Sequence, residues 1–339
     1  MIRALLLNSP DPDDGFEQRL FGADMTIGIH AGPGFPGSAP TPEECAAAQG
    51  IVSRSANHDI GEPAQFPNLR VLVRMGVGYD SLDIAKWGRA GVAVCNVPDY
   101  GTSEVADHAM ALTLALARGT ETYHSRLVAG GAWGWAGAPC VRRLRGTVFG
   151  VVGLGRIGLA AALRARAFGM ELAFYDPYAP NGLEIAVGAR RVNSLPELLA
   201  MSGVVSIHAP LGPETRGMVN REALAAANPD LLLVNTARGA IVDVDALCDA
   251  LEAGRIAGAA LDVLPEEPIP QDHRLLRAVR EGAPWAVGRV VLTPHAAFYS
   301  PDAMADMRRK SWEVILHFLR DGRLTNCVNR EFLSRNFPG

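Results

Sequence analysis

Residues 147–158 leave the chain few ways to fold. An apolar run over Val148–Val152 breaks into Gly153-Leu154-Gly155-Arg156-Ile157-Gly158, and an Ala- and Leu-rich helical pattern follows over 159–168. A strand, a GxGxxG turn and a helix in that order form a dinucleotide site. Gly153 permits the tight turn, Gly155 lets the backbone approach a pyrophosphate, and Gly158 allows close helix–strand packing. The helix N-terminus then offers free N–H groups and the positive end of its dipole to phosphate. A second apolar run over 171–175 ends at Asp176, roughly 20 residues beyond Gly153. A carboxylate there accepts hydrogen bonds from both ribose hydroxyls and repels a 2′-phosphate, so the pattern predicts NAD as cofactor rather than NADP. The plain alternative is a glycine-rich loop followed by a chance Asp.

At 339 residues the chain is long enough for two domains. Hydrophobic residues at 48% and charged residues at 20% allow substantial cores and exclude a disordered chain. A net charge of −4, with both signs spread along the sequence, argues against direct nucleic-acid binding. The five cysteines (Cys45, Cys95, Cys140, Cys248, Cys327) are scattered and form no CxxC. They read as reduced structural thiols of a cytoplasmic protein, and no metal site is expected. Residues 1–7 run directly into Asn8-Ser9-Pro10-Asp11, which does not read as a signal peptide. The longest apolar stretch, 109–117, falls far short of the ~20 residues of a membrane span.

The N-terminal third alternates strand-like runs (2–7, 25–29, 51–55, 69–75, 92–97) with helical stretches (14–21, 42–48, 82–90). That alternation predicts a parallel sheet covered on both faces. Residues 31–40 are rich in Gly and Pro and read as an exposed, mobile loop. The longest helical pattern is 103–127, with Val105, Ala109, Leu112, Leu116 and Tyr123 near one face, carrying the chain from one domain into the next. Arg142-Arg143-Leu144-Arg145 reads as a solvated basic run. Beyond Asp176, strands are expected over 204–207, 231–234, 257–261 and 290–292, and helices over 196–201 and 244–253. Polar residues follow the strand ends, which in an open parallel sheet line the ligand crevice.

Several of those residues suit chemistry. Gly76 and Gly78, following Arg74, let backbone N–H groups converge on an anion; a plain tight turn is the other reading. Arg238 would bind a carboxylate bidentately and polarise an adjacent carbonyl. His295 follows a strand end as a proton donor and acceptor, and Glu267 lies in a loop that could set a carboxylate against it. Beside a nicotinamide this set fits hydride transfer between the cofactor and a 2-oxo/2-hydroxy acid. Taken singly, Arg238 could cap a helix, Glu267 could be a surface acid and His295 a satisfied core histidine.

Nearly the whole chain resembles the D-isomer-specific 2-hydroxyacid dehydrogenases, through residues 73–80, 144–158, 234–239, 260–268 and 293–295 in the family's order. The resemblance places the family's catalytic Arg, Glu and His on Arg238, Glu267 and His295. It implies cofactor contacts at Val77, Gly153, Gly155, Arg156, Ile157, Gly158, Asp176, His208, Ala209, Pro210, Thr215, Thr236, Ala237 and Asp262, with Asp262 on the nicotinamide carboxamide. Substrate contacts would fall on Arg74, Gly76, Val77, Gly78, Arg238 and Phe298. The implied α/β fold has two doubly wound parallel-sheet domains with the site in the cleft between them. A flavodoxin-like substrate domain would be built from 1–103 and 300–339, with a Rossmann-like NAD domain over 104–299. A homodimer through the NAD domain is also implied.

Residues 93–98, 174–178, 295–300 and 326–331 look closest to the C-terminal binding protein branch, NAD-sensing corepressors that keep the dehydrogenase triad. Phe298 stands where that branch has Trp, so its substrate does not carry over. Formate dehydrogenases lack the acid supplied by Glu267, and phosphite dehydrogenases carry Lys in place of Val77. Two functions follow from the resemblance. One is NAD-dependent interconversion of a small 2-oxo acid and its D-2-hydroxy acid. The alternative is an NAD(H)-gated dimeric scaffold that binds protein partners.

Overall fold

Along β1 (Ile2–Ser9), Ala4 and Leu6 enter one core while Leu5 and Leu7 enter another, as the two-residue period of a strand requires. The computed structural model describes residues 1–9, 14–32, 37–54, 60–334 and 337. The chain divides into two units, Met1–Gly101 with Ser300–Gly339, and Thr102–Tyr299.

The first unit continues with β2 (Met25–Ala31), β3 (Gly50–Ser53), β4 (Val71–Arg74) and β5 (Ala93–Asn96), interleaved with α1 (Phe16–Phe21), α2 (Pro42–Ala47) and α3 (Ile84–Arg89). The strands pair in parallel in the order β2-β1-β3-β4-β5, which is the flavodoxin-like order. Residue 55 of the strand expected over 51–55 and residues 33–36 of the Gly/Pro-rich loop lie outside the described residues.

The second unit holds β6 (Val148–Val152), β7 (Glu171–Tyr175), β8 (Arg190–Arg191), β9 (Val204–Ile207), β10 (Leu232–Asn235), β11 (Gly258–Leu261) and β12 (Val290–Leu292). They run β12-β11-β10-β9-β6-β7-β8, all parallel, which is the Rossmann order with one strand added. Its helices are α4 (Thr102–Arg118), α5 (Thr120–Val128), α6 (Arg156–Ala167), α7 (Leu183–Val187), α8 (Leu195–Met201), α9 (Arg221–Ala225), α10 (Val244–Glu252) and α11 (Arg274–Glu281). Ala109, Leu112 and Leu116 of α4, with Ala161 and Ala165 of α6, cover the face carrying Phe149, Val151 and Phe174. The opposite face, with Val205, Ile207 and Leu233, packs on Leu198, Leu224, Leu247 and Leu275 from the four later helices. Both sheets are therefore doubly wound, as the βα alternation predicts.

Two helices differ from the sequence pattern. The single helix expected over 103–127 is interrupted at Gly119, whose φ of +63° is left-handed and whose Cβ would lie 2.6 Å from Ala138 Cβ. After this break α5 buries none of its residues. The longest helix is instead α12 (Pro301–Asp321), which belongs to the first unit. Its signals are local: the Ser300 side chain caps Ala303 N–H, Pro301 sits in the first turn, and Gly322 ends it in the left-handed region. Trp312, Ile315 and Phe318 of α12 pack on the β1 face that holds Ala4 and Leu6. On its polar side Arg308 meets the fully buried Glu17 at 2.6 Å and Asp14 at 2.7 Å. The Arg308 hydrogen bond holds the Asp14 carboxyl well below its usual range. Among the described residues no helix is long and apolar enough to cross a membrane, and no group of three metal-ligating side chains converges.

Candidate active site

The turn after β6 has the conformation its glycines predict. Gly153 has a φ of +85°, and a Cβ on it would meet Ala209 N at 2.7 Å. A Cβ on Gly158 would stand 2.1 Å from Gly153 O, so α6 and β6 approach too closely for any side chain. Gly155 is different: a Cβ there meets nothing within 4 Å. The protein's own packing does not demand a glycine at that position, whereas a ligand lying on the backbone would. Gly155 is the extended N-cap of α6, and no side chain caps the helix above Arg156 and Ile157. An uncapped N-terminus opening onto free space suits a pyrophosphate.

Asp176, at the end of β7, is drawn into this turn. Its Oδ2 accepts the Leu154 N–H at 2.9 Å, and its Oδ1 accepts Tyr178 N–H at 2.9 Å and Ala179 N–H at 3.1 Å. Tyr178 Oη in turn donates to the Glu214 carboxylate, linking this loop to the one after β9. In that second loop Thr215 Oγ1 accepts Gly212 N–H and donates to Pro210 O, both bonds spanning the turn beyond Ala209. His208 lies 2.8 Å from Ser206 Oγ through Nε2, and burial pushes its imidazole down to about 4, so the ring is neutral. Thr236 Oγ1, after β10, is buried without a hydrogen-bond partner among the described residues. An orphaned buried hydroxyl and an open glycine on one sheet edge fit a polar ligand such as a dinucleotide.

A second cluster gathers beyond β10, β11 and β12. Asn235, fully buried, folds the β10 end into a turn: its Oδ1 accepts Ala237 N–H at 3.0 Å and its Nδ2 donates to Arg238 O at 2.9 Å. Gly239 then lies so near the next loop that a Cβ would be 1.9 Å from the Leu264 carbonyl carbon. This contact presses the Arg238 turn onto the loop that carries Glu267. Glu267 Oε1 accepts Leu264 N–H at 3.0 Å, and Oε2 lies 2.6 Å from His295 Nδ1. Burial alone would raise the Glu267 pKa, but the His295 hydrogen bond and charge, the Leu264 N–H and the Arg238 charge outweigh it, and the net shift is downward. The ring of Phe298 stands edge-on to His295, with centroids 6.1 Å apart.

His295 has a φ of +53°, a left-handed conformation rare outside Gly and Asn. Asp262 holds it there. The Asp262 carbonyl accepts His295 N–H at 2.7 Å, its Oδ1 accepts Ala296 N–H at 2.8 Å, and its Oδ2 accepts Ala297 N–H at 3.0 Å. Thr293 Oγ1 adds a 2.5 Å bond to Oδ1, with His108 Nε2 3.1 Å behind it. Sequence reasoning gave no part to Asn235, Thr293 or His108. An Asn or Thr at a strand end is a weak signal, and His108 reaches the group from α4.

In the first unit the Gly76 turn is built similarly. Asn96 Nδ2 donates to Val77 O at 2.7 Å, and Val97 N donates to Gly76 O at 2.9 Å. The N–H groups of Gly76, Val77 and Gly78 donate no hydrogen bond among the described residues, as an anion-binding turn requires. The Arg74 guanidinium donates to the carbonyls of Arg54 and Met75, bracing the turn from below.

The family described as D-isomer specific 2-hydroxyacid dehydrogenase, NAD binding domain, matches residues 110–297. The chain is 37% identical over 300 residues to a glyoxylate reductase of Korarchaeum cryptofilum, covering 88% of this chain and 86% of that one. It is 34% identical over 281 residues to C-terminal-binding protein 1 of Caenorhabditis elegans, covering 80% of this chain but only 38% of that longer protein. Among solved structures, a D-lactate dehydrogenase from Aquifex aeolicus complexed with NAD and lactic acid superposes with a TM-score of 0.78 at 27% identity, covering 96% of this chain and 99% of that one.

Proposed function

The chain belongs to the D-isomer-specific 2-hydroxyacid dehydrogenases, nicotinamide-dependent oxidoreductases, and on that footing we propose that it reduces a small 2-oxo acid of the glyoxylate class to the 2-hydroxy acid with NADH. The observation that carries this reading is the 2.6 Å pair of His295 Nδ1 and Glu267 Oε2, with the Arg238 charge acting on the same carboxylate. With Nδ1 held by Glu267, Nε2 is left to give a proton to the developing alkoxide or to take one in the reverse direction. Glu267 fixes the ring and offsets the imidazolium charge, as a carboxylate beside a catalytic His does. Arg238 supplies a guanidinium that can bind the substrate carboxylate and polarise its carbonyl. Within the first unit, the Gly76, Val77 and Gly78 N–H groups form an anion-binding turn of their own. When bound, the nicotinamide supplies the hydride.

NADH oxidation against glyoxylate, hydroxypyruvate, pyruvate, phenylpyruvate and 4-methylthio-2-oxobutyrate tests the assignment, with Arg238→Ala as control. Turnover of the small acids, lost in the control, is the expected result. Tight NADH binding with no turnover across the panel would instead favour the NAD(H)-gated scaffold, a reading supported by the likeness to C-terminal-binding protein 1.

The cofactor reading rests on Asp176. Placing a 2′-phosphate beside its carboxylate sets like charges together, a cost of several kcal/mol. NADPH should therefore support kcat/KM roughly tenfold or more below NADH. Asp176→Ala should narrow that gap, and equal use of both cofactors by the unaltered protein would rule the reading out.

Assembly is assigned to α5 and the loop after it. Trp133 and Trp135 are 92% and 88% exposed. The loop is nevertheless braced: Tyr123 Oη donates to Trp135 O at 2.7 Å, and the Arg126 guanidinium donates to the carbonyls of Gly134 and Ala136. Two exposed indoles carried on a loop whose backbone is braced suit burial against a second copy of this chain. Light scattering after size exclusion should find a dimer, and Trp133→Ala with Trp135→Ala should yield monomer. A double variant that remains dimeric would move the contact elsewhere.

A further inference from the structure

β5 is an outer strand of the five-stranded sheet, and residues 326–328 run antiparallel along its open side. Val328 N–H donates to Val94 O at 2.8 Å and Asn96 N–H to Asn326 O at 3.2 Å. These two bonds flank Cys95 and Cys327, which face each other as a non-hydrogen-bonded pair. Such a pair holds its Cα atoms about 4.5 Å apart with both side chains on one face. That separation lies within the ~4.4–6.8 Å a disulfide spans. Both thiols are reduced; Cys95 is buried under β5 and Cys327 packs, half-buried, at the margin of the same core.

We propose that Cys95 and Cys327 form a reversible disulfide on exposure to a hydroperoxide, a modification that ties residues 326–328 covalently to β5. Cys327 is the sulfur that reacts first, because it is the one solvent can reach. The adjoining Cys95 thiol favours the Cys327 thiolate and, with the backbone at Asn329 and the Arg330 charge, outweighs burial, which acts in the opposite direction. The same contact, with burial, pushes Cys95 up. The Cys327 thiolate attacks a peroxide oxygen, the O–O bond breaks, and hydroxide leaves to be protonated to water (or to the alcohol, for an organic hydroperoxide). Cys95 then attacks the Cys327 sulfenic sulfur; the S–S bond forms, the S–O bond breaks, and the hydroxyl leaves as water with the Cys95 proton. The two sulfurs together give up two electrons, which the peroxide accepts. Burial raises the thiols of Cys45, Cys140 and Cys248, so the reaction is selective for this pair.

The position gives the modification a consequence. Asn96, next to Cys95, bonds residue 326 through its N–H and the Val77 carbonyl through its side chain. A disulfide at 95–327 therefore rigidifies the strand end that braces the Gly76 turn.

The test is intact mass of the whole chain after hydrogen peroxide treatment, with peptide mapping. The expected result is a loss of about 2 Da and a linked Cys95–Cys327 peptide, both reversed by dithiothreitol. Two of the five thiols should become unreactive to titration. Cys327→Ser and Cys95→Ser should each abolish the mass loss; should Cys95→Ser fail to fold, Cys327→Ser decides alone, since its side chain is partly in solvent. Unchanged mass, a stable Cys327 sulfinic acid (gain of about 32 Da) beside a free Cys95, or a disulfide through another cysteine would each overturn the proposal. The readout is chemical and stands apart from the catalytic assignment.

Discussion

Replacing His295 with alanine is expected to lower kcat by ~10²–10⁴-fold, the usual contribution of a positioned acid–base group, while NADH affinity is retained. The left-handed backbone at His295 costs an alanine roughly 1 kcal/mol, as it costs the histidine, so a residue that adopts this conformation freely is the better comparison. His295→Asn supplies it, since Asn adopts this conformation readily. Both variants should lose the same kcat, and the alanine variant should unfold at lower denaturant than the asparagine variant. Parallel loss of NADH affinity in both would assign His295 to cofactor support instead. The partner Glu267 sets a pH limit of its own. Its pKa is lowered in the folded protein, so its ionised pairing is fully present above the ordinary carboxylate value and is lost only as pH falls through the lowered one. The Glu267–His295 contact is accordingly intact throughout the neutral range.

Gly239→Ala should cost ~10²-fold in kcat/KM without touching a substrate atom, the scale of a misplacement of about 1 Å at a reacting group. The added Cβ would fall 1.9 Å from the Leu264 carbonyl carbon and 2.2 Å from its oxygen. These are backbone atoms and cannot swing aside as a side chain would. One neighbour of the contact is Arg238; on the other side Leu264 N–H holds Glu267 Oε1. Separating the loops therefore displaces the guanidinium and the carboxylate together. The β6–α6 turn takes no part in this contact, but Thr236 and Ala237 precede Gly239 on the displaced turn, so NADH affinity should fall as well, by less than kcat/KM. A Gly239→Ala enzyme with unaltered kinetics would show that the loops are not held by this approach.

What could be read in the sequence was local and periodic. Two parallel sheets follow from apolar runs alternating with helical patterns, and the β6 turn follows from three glycines set between a strand and a helix. The proximity of Glu267 to His295 was suggested by residue type and strand-end position, and the two lie at 2.6 Å. What escaped depends on contacts distant in sequence. Gly119 resembles any mid-helix glycine until Ala138 comes against it. Glu17 looks like a surface acid, yet it is buried against an arginine from the far end of the chain. Asp262 suggested a cofactor contact, while the structure first gives it the task of pinning three consecutive N–H groups around His295. The α12 signals, Ser300, Pro301 and Gly322, are local, and the sequence reading did not take them up.

The placement of α12 also bears on synthesis. One face of the five-stranded sheet is covered by Trp312, Ile315 and Phe318, and Gly50 lies so close beneath them that a Cβ would be 2.7 Å from Ile315. All five strands leave the ribosome before Thr102, and their cover only after Pro301. The unit that is continuous from Thr102 to Tyr299 has its whole core in hand while that face is still bare. N-terminal segments ordinarily fold first as a chain emerges. Here the order is inverted for one of that sheet's two cores: the face made first is among the last that can be covered.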